Sequence, residues 1–271
     1  MEHPERSAQF TWNAKEYSSH SAFQEMCADE LIAKLRLSGS EHVLDIGCGD
    51  GRVTAGIARR LPHGQVLGID SSPEMVRYAQ EHFPRDKFPN LSFCHLDARA
   101  LGFKEEFDVI FSNAALHWVM EPRPVLDGIY HALQPGGRMV VQMAGKGNAA
   151  EAFLAFAYLA QDPPWNQYFC NFHTPYAFFG SEQYRELVIG SGLLPVRVEL
   201  IRRDMVHIDR ESFAGWVRTT WLPYLGRVPV SLQPAFIEAL YAMSCTLSPP
   251  DSRGALHIRM VRLEAEAEKK V

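Results

Sequence analysis

Asp45 stands two residues before Gly47 in the stretch Val43-Leu-Asp-Ile-Gly-Cys-Gly-Asp-Gly51. Val43 to Ile46 reads as a buried strand and Gly47 to Gly51 as the tight turn that follows it. Arg52 to Leu61 then reads as a helix with Val53, Ile57 and Leu61 on one face. A glycine turn can pass close to a ligand because glycine lacks a Cβ and takes positive φ, and open α/β sheets bind ligands at the carboxyl ends of their strands. The spacing Gly-x-Gly-x-Gly is neither the dinucleotide pattern Gly-x-Gly-x-x-Gly nor a P-loop ending in Gly-Lys-Ser/Thr. A carboxylate facing the turn repels a pyrophosphate and suits a ligand that carries an ammonium and a sulfonium. Asp70 closes the apolar run Gln65–Ile69, 19 residues after Gly51. Nucleotide-binding units place a ribose-binding acid near that distance, and one carboxylate has lone pairs for both ribose hydroxyls.

These groups need a scaffold, and the rest of the chain predicts one. Ser71-Ser-Pro-Glu74 starts a helix with a serine cap, a proline in the first turn and an early acid. Leu91–His95 reads as a third strand leading into Leu96-Asp97-Ala98, and Phe107–Phe111 as a fourth leading into Ser112-Asn113-Ala-Ala-Leu-His117-Trp118-Val119. A helix follows from Pro122 to Leu133, Gln134-Pro-Gly-Gly137 stops it, and Arg138–Met143 reads as a fifth strand. Strands alternating with helices predict a parallel, doubly wound α/β sheet. A helix from about Ser21 to Leu37 precedes it, with Phe23, Met26, Cys27, Leu31 and Leu35 at helical spacing.

Beyond residue 145 the rhythm breaks. Residues 146–192 are rich in aromatics and lack a clear strand, 195–208 alternate again, 211–248 are helical and aromatic, and 255–263 alternate once more. The economical reading is one domain over 1–271 with a seven-stranded, mostly parallel sheet. Its binding core spans about 40–145 plus strands near 195–208 and 255–264, and insertions at about 146–192 and 209–250 form a helical, aromatic-rich lid. Lids of this kind exclude water and enclose a substrate.

Composition narrows the function classes. Apolar residues are 46% and charged residues 22% of the 271, as in ordinary soluble domains. The net charge of −5 argues against a nucleic-acid partner, whose footprint is a basic face. The cysteines at 27, 48, 94, 170 and 245 form no Cys-x-x-Cys pair, so reduced thiols of a cytoplasmic protein are expected rather than disulfides or a zinc site. The first residues, Met-Glu-His-Pro-Glu-Arg, lack a basic-then-apolar signal pattern, and the apolar run Phe153–Ala160 is far too short for a bilayer span. The histidines make no His-x3-His pair with acids, so no metal is predicted.

As a set, Asp45-Ile-Gly-Cys-Gly-Asp-Gly51, Gly68-Ile-Asp70, Asp97-Ala98, Phe107-Asp108 and Leu133-Gln-Pro-Gly-Gly137 resemble the motifs of the class I S-adenosylmethionine (SAM) methyltransferases, which have a Rossmann-like fold. The resemblance covers roughly residues 40–145 and implies that SAM is bound and S-adenosylhomocysteine released. It implies cofactor contacts at Asp45, Gly47, Cys48, Gly49, Gly51, Asp70, Ser71, Asp97, Ala98 and Asn113, with Asp97 accepting from the adenine amino group. A finer resemblance, carried by Phe111-Ser-Asn-Ala-Ala-Leu-His-Trp-Val119 and by Tyr17-x6-Gln24, is to the small-molecule carboxyl methyltransferases of the trans-aconitate, juvenile hormone acid and salicylate types. It implies that Gln24 and Trp118 hold the substrate carboxylate; Tyr17, Trp216 and Tyr224 are further candidates for substrate binding. Arg218, Arg227, His173 and Tyr224 are candidates for a distal substrate group.

The implied reaction, methyl esterification of a small organic acid, is physically economical. A carboxylate is already ionised at neutral pH, so the protein needs only to orient it and exclude water. An amide N–H and an indole N–H offer one donor each for that purpose. His117 is ambiguous: it lines the pocket of a carboxyl methyltransferase, or it serves as base if the acceptor is a phenol. Methylation of a phenol or quinone oxygen, a carbon or a carrier-bound acyl group stays open, as does a SAM-binding interaction module without turnover. The acid and the oligomeric state are not legible.

Overall fold

Alternate residues of the short apolar strands face opposite ways, and both ways are buried. The strands are β1 (His42–Ile46), β2 (Gln65–Asp70), β3 (Leu91–His95), β4 (Phe107–Asn113), β5 (Leu133–Ala144), β6 (Leu194–His207) and β7 (Leu256–Glu268) in a computed structural model that describes residues 30–271. Leu44, Ile46, Ile110, Met139 and Val141 pack into one cluster, while their neighbours Val43, Val109, Phe111 and Val140 pack into another. Strands covered on both faces are the mark of a parallel sheet wound with helices on each side. The sheet order is β3-β2-β1-β4-β5-β7-β6. β1 to β5 run parallel, and β7 is antiparallel to β5, from Arg138 opposite Glu268 to Ala144 opposite Arg262. This is the doubly wound, Rossmann-like, mostly parallel seven-stranded sheet that the sequence predicts.

Helices α1 (Arg52–Ala58) and α2 (Pro73–His82) follow β1 and β2, and α3 (Arg123–Ala132) lies between β4 and β5. Ala55, Ile57, Val76 and Ala79 cover one face of the sheet. Val125, Leu126 and Ile129 cover the other. The chain runs β1-β2-β3 toward one edge and then resumes at β4 on the far side of β1. The gap between the ends of β1 and β4 is therefore the topological switch point, where sheets of this type open a crevice for ligands. Of the helix expected over 21–37, only 30–34 is helical within the described residues, with Leu31 and Leu35 fully buried.

The described residues fall into two units. A sheet unit comprises 30–148, Tyr176–Arg203 and Met260–Val271, and a helical unit comprises Ala149–Pro175 and Asp204–Arg259. Residues 176–192, read from sequence as part of the first insertion, thus belong with the sheet. Helix α6 (Ser181–Gly190) buries Tyr184 and Val188 in the cluster that holds Leu126 and Ile129, so its apolar positions are committed there. The helical unit contains α4 (Ala150–Leu159), α5 (Asn166–Phe169), α7 (Arg210–Thr220), α8 (Leu222–Leu225) and α9 (Gln233–Leu247). Its core is aromatic: Phe213 and Phe236 are fully buried, Phe169 packs tilted on Phe236, and Phe156, Phe169, Trp221 and Tyr224 pack edge to face or tilted on one another. Helix α7 starts at a capping box in which Asp209 accepts from the Ser212 N–H at 2.8 Å. No helix among the described residues is long and apolar enough to cross a membrane.

Candidate active site

Four strand ends converge at the switch point. Asp45 is the penultimate residue of β1, beside Gly68 and Phe111 in the register, and Asp70 ends β2 opposite His95. Asp97 follows β3, and Asn113 ends β4. The turn after β1 is folded tightly onto β2: the Gly47 and Cys48 N–H groups both donate to Ile69 O, at 2.7 and 3.0 Å. Two glycines there take a left-handed φ that strains any side chain, and at the first there is no room for one. Gly47 sits at φ +77°, and a Cβ on it would lie 2.1 Å from the Ala115 Cβ, so the glycine turn and the tract after β4 touch across the switch point. Gly49 sits at φ +53°, and a Cβ on it would meet nothing within 4 Å. Its bare backbone therefore lines open space.

Asp45 is almost fully buried and accepts from the Thr54 Oγ1 at 2.7 Å. Burial first, and the nearby Asp70 charge as well, push its carboxyl up to about 7 despite the Thr54 hydrogen bond. No cation pairs with Asp45 among the described residues. A buried acid in that state fits a cationic ligand group, which would restore the ionised form. Asp70 is raised by burial too, while its two oxygens accept from the Gly49 N–H at 2.9 Å and the Ser72 N–H at 2.8 Å. Those bonds tie the glycine turn to the start of α2 and leave lone pairs for a diol. Ser72 caps α2, accepting from Met75 N–H at 3.3 Å, and the Ser71 carbonyl lies 3.0 Å from His95 Nε2.

Asp97 caps a 3-10 turn over Ala98–Ala100 and is gripped by Arg99, whose Nη2 donates to Oδ2 at 2.6 Å and whose Nε donates to Oδ1 at 3.0 Å. That guanidinium holds the Asp97 carboxyl below the usual range. Ala98 packs on the core with Leu96. Cys48 contributes backbone to the turn, but its side chain is core, and burial pushes its thiol well above the ordinary value. The residue that sequence reasoning missed here is Thr54. Its only signal is a hydroxyl set between Val53 and Ala55 on the first turn of a core helix.

After β4, Ala114 takes a left-handed φ of +55° and the chain enters a 3-10 turn over Leu116–Trp118. Leu116 is buried in the core and anchors the turn, which leaves His117 and Trp118 half-buried beside it. The His117 Nδ1 is buried with no hydrogen-bond partner among the described residues. Burial pushes its imidazole down to about 4, so it is neutral at pH 7. Aromatic rings surround it: Trp118 at 5.6 Å, Tyr176 at 6.0 Å and Phe178 at 6.4 Å between centroids. Tyr176 and Phe178 were read from sequence as aromatics of an insertion. The structure ties them to the 116–118 turn through the Ala177 N–H, which donates to His117 O at 2.9 Å.

Tyr17 and Gln24 lie outside the described residues. Trp216 and Tyr224 belong to the helical unit. There Trp216 packs on His207, Phe213 and Trp221, and the buried Tyr224 donates its hydroxyl to Thr174 Oγ1 at 2.9 Å. In the same unit Arg218 pairs with Glu211 at 2.5 Å, and Arg227 donates to Tyr168 O at 3.1 Å. No group of three or more His, Cys, Asp or Glu among the described residues is placed to hold a metal ion.

Comparison with known proteins bears on this geometry. A family model described as a methyltransferase domain matches residues 37–176. The chain is 33% identical to an uncharacterized methyltransferase of Schizosaccharomyces pombe, over 95% of this chain and 98% of that protein. It is 29% identical to a trans-aconitate 2-methyltransferase of Escherichia coli, over 93% of this chain and 96% of that one. The structure of phosphoethanolamine N-methyltransferase 2 of Haemonchus contortus, solved with phosphomonomethylethanolamine and S-adenosylhomocysteine, has a TM-score of 0.61 at 18% identity, over 95% of this chain and 57% of that one. At that identity the likeness is one of fold.

Proposed function

The chain belongs to the methyltransferase-domain family, as a class I SAM-dependent methyltransferase, and on that premise we propose that it esterifies the carboxylate of a small organic acid. When bound, SAM supplies a methyl group carried on a sulfonium. Asp45 would hold the ammonium end of the cofactor, the backbone of Gly47 to Gly51 would line it, and Asp70 would accept from the ribose hydroxyls. Asp97 and the Ala98 turn would take the adenine side. Ser71 and Asn113, at the ends of β2 and β4, complete the rim. The acid is oriented by the Trp118 indole N–H and by Gln24. Held in this way, one carboxylate oxygen would take up the methyl group that SAM supplies, the thioether of S-adenosylhomocysteine leaving with the C–S electron pair. No proton moves.

The observation that carries this reading is the setting of His117: its buried Nδ1 has no carboxylate or other partner among the described residues, and Trp118, Tyr176 and Phe178 wall the ring. An imidazole held at about 4 is a poor base, and moving a proton to it from a phenol of pKa near 10 is uphill by roughly six orders of magnitude. A carboxylic acid asks for no such transfer, because at pH 7 it is ionised by roughly a thousand to one. That weighs against the phenol alternative and leaves His117 as a neutral wall of the acceptor site. Tyr17, Trp216 and Tyr224 remain the proposed further contacts of the acid. The relatives named trans-aconitate 2-methyltransferase support a carboxylate acceptor without fixing which acid this chain takes.

Two variants test the reading. Trp118→Phe and Gln24→Ala are expected to lower methyl transfer to the acid at least tenfold while the affinity for SAM stays within about twofold, since orientation alone can be worth orders of magnitude. Normal turnover in both variants would end the carboxylate assignment.

A further inference from the structure

Residues Tyr176–Phe179 form a short strap that returns to the sheet unit and is fastened at both ends. At one end the Ala177 N–H donates to His117 O at 2.9 Å; at the other the Lys146 N–H donates to Phe179 O at 2.9 Å. The Phe179 ring lies 5.8 Å from that of Tyr184, itself 1% exposed in the core, so the strap is anchored to α6. Immediately before the first fastening Tyr176 is 8% exposed and meets the Trp118 indole edge to face, with centroids 4.8 Å apart at 71°. Behind it Phe178 stacks on Tyr176 at 5.4 Å and 7°. The 3-10 turn fixes the backbone of Trp118, whose N–H donates to Ala115 O at 3.1 Å, but that bond leaves the side-chain torsions undetermined. A ring pair with this geometry has a preferred angle set by its quadrupoles.

We propose that Tyr176 is a positioning residue: its ring, backed by Phe178 and held by the strap, sets the direction of the Trp118 indole and so aims that donor at the acid. The consequence for catalysis rests on the carboxylate reading above. Its weight follows from how steeply in-line transfer depends on alignment, since a displacement of about 1 Å can cost on the order of a hundredfold. The sequence did not single out Tyr176, because nothing in its spacing separates it from the other aromatics of 146–192. The backbone bond from Ala177 to His117 does.

The experiment uses the full chain with Tyr176→Leu and Tyr176→Phe, each alone and combined with Trp118→Phe. Three quantities are read: SAM affinity, kcat and KM for transfer of a labelled methyl group to the acid that the parent methylates fastest in a panel of small organic acids including trans-aconitate, and the near-ultraviolet circular dichroism. Tyr176→Leu is expected to lower kcat/KM for the acid by about ten- to a hundredfold, with SAM affinity unchanged within about twofold. Tyr176→Phe keeps the ring and restores the rate to within about threefold. In the Trp118→Phe background Tyr176→Leu adds nothing, because an effect routed through Trp118 cannot be lost twice. The spectral difference between the parent and Trp118→Phe is the indole's own signal, and Tyr176→Leu should remove most of it while Tyr176→Phe keeps it. Additive losses in the double variant, a phenylalanine variant as slow as the leucine one, or an indole signal that survives Tyr176→Leu each overturn the proposal. Should the parent methylate no acid at all, the carboxylate reading fails while the spectral comparison still decides whether Tyr176 orients Trp118.

Discussion

An acid that is buried without a counter-charge reports on its ligand through pH. Asp45, raised to about 7 chiefly by burial, is protonated in much of the ligand-free protein below neutrality. A cationic group seated against it favours the ionised form, so binding must expel the proton. SAM affinity is therefore expected to rise with pH up to about 7, by as much as roughly tenfold per unit, and then level off. Calorimetry in buffers of different ionisation heat reads the released proton, and Asp45→Asn should abolish both the slope and the release. A flat affinity profile in the parent would detach Asp45 from the cofactor. His117 makes the opposite statement about the chemistry. Its folded value of about 4 lies below the 6.5 of a free imidazole, so the ring charges only on unfolding, and its contribution to stability is present above pH 6.5 and lost as pH falls toward 4. With SAM saturating at every pH, turnover with an acid should consequently be level between about pH 5.5 and 8. An inflection near 6.5 that vanishes in His117→Phe would make it a base after all. At this scale the sequence was informative where a residue type is rare in its setting. Asp45 in an apolar strand and Asp70 at a strand end stand out, whereas Thr54 and Tyr176 look like their neighbours until folding sets them against a carboxylate and an indole.

The elements show where alternation stops being a guide. β7 was expected to end near residue 264, because Glu264, Glu266 and Glu268 alternate with alanines where an interior strand needs apolar side chains. Instead it runs to Glu268, with Glu264 fully buried. Its partners come from three other parts of the chain: Lys34 at 2.5 Å, Arg197 of β6 at 2.9 Å and Gln142 of β5 at 3.1 Å. Burial alone would raise its carboxyl, but the bonds to Lys34 and Arg197 outweigh that and hold it below the ordinary value. Glu264→Ala removes the partner that Lys34 and Gln142 share with Arg197; because both cations are partly exposed and Arg197 keeps Glu199, it is expected to destabilise the fold by about 1–3 kcal/mol in denaturant titration. The sign of the pH effect follows from the lowered carboxyl: the stabilisation is present above about pH 4.5 and is lost as acid protonates Glu264. A loss under 1 kcal/mol would mean that the network is ornamental. No local pattern could have supplied partners 67 to 230 residues distant in sequence.

At the scale of the molecule, the order of β–α steps was legible from punctuation such as the serine cap at Ser72, although the tract 134–137, expected to stop α3, lies inside β5, which begins at Leu133 directly after α3 ends at Ala132. The division into units was less so. Residues 176–192 carry the same aromatic composition as the helical unit, yet Tyr184 and Val188 commit them to the sheet. The fold predicts where a ligand acts. Hydrogen exchange with saturating S-adenosylhomocysteine should slow at the carboxyl ends of β1, β2 and β3 and in the turns that follow them, and stay unchanged at their amino ends near His42, Gln65 and Leu91. At about a hundredfold over its dissociation constant the same ligand should add roughly 2.7 kcal/mol of stability. Protection at the amino ends instead would move the site to the wrong side of the sheet.

The most direct measurement supplies the protein with methyl-labelled SAM and a panel of small organic acids that includes trans-aconitate, then treats the product with mild alkali. A carboxyl methyl ester releases the label as methanol, and the account predicts that release, together with its loss in Trp118→Phe. Label that is transferred but stays fixed through the alkali would mean an ether, amine or carbon acceptor and would contradict the central claim.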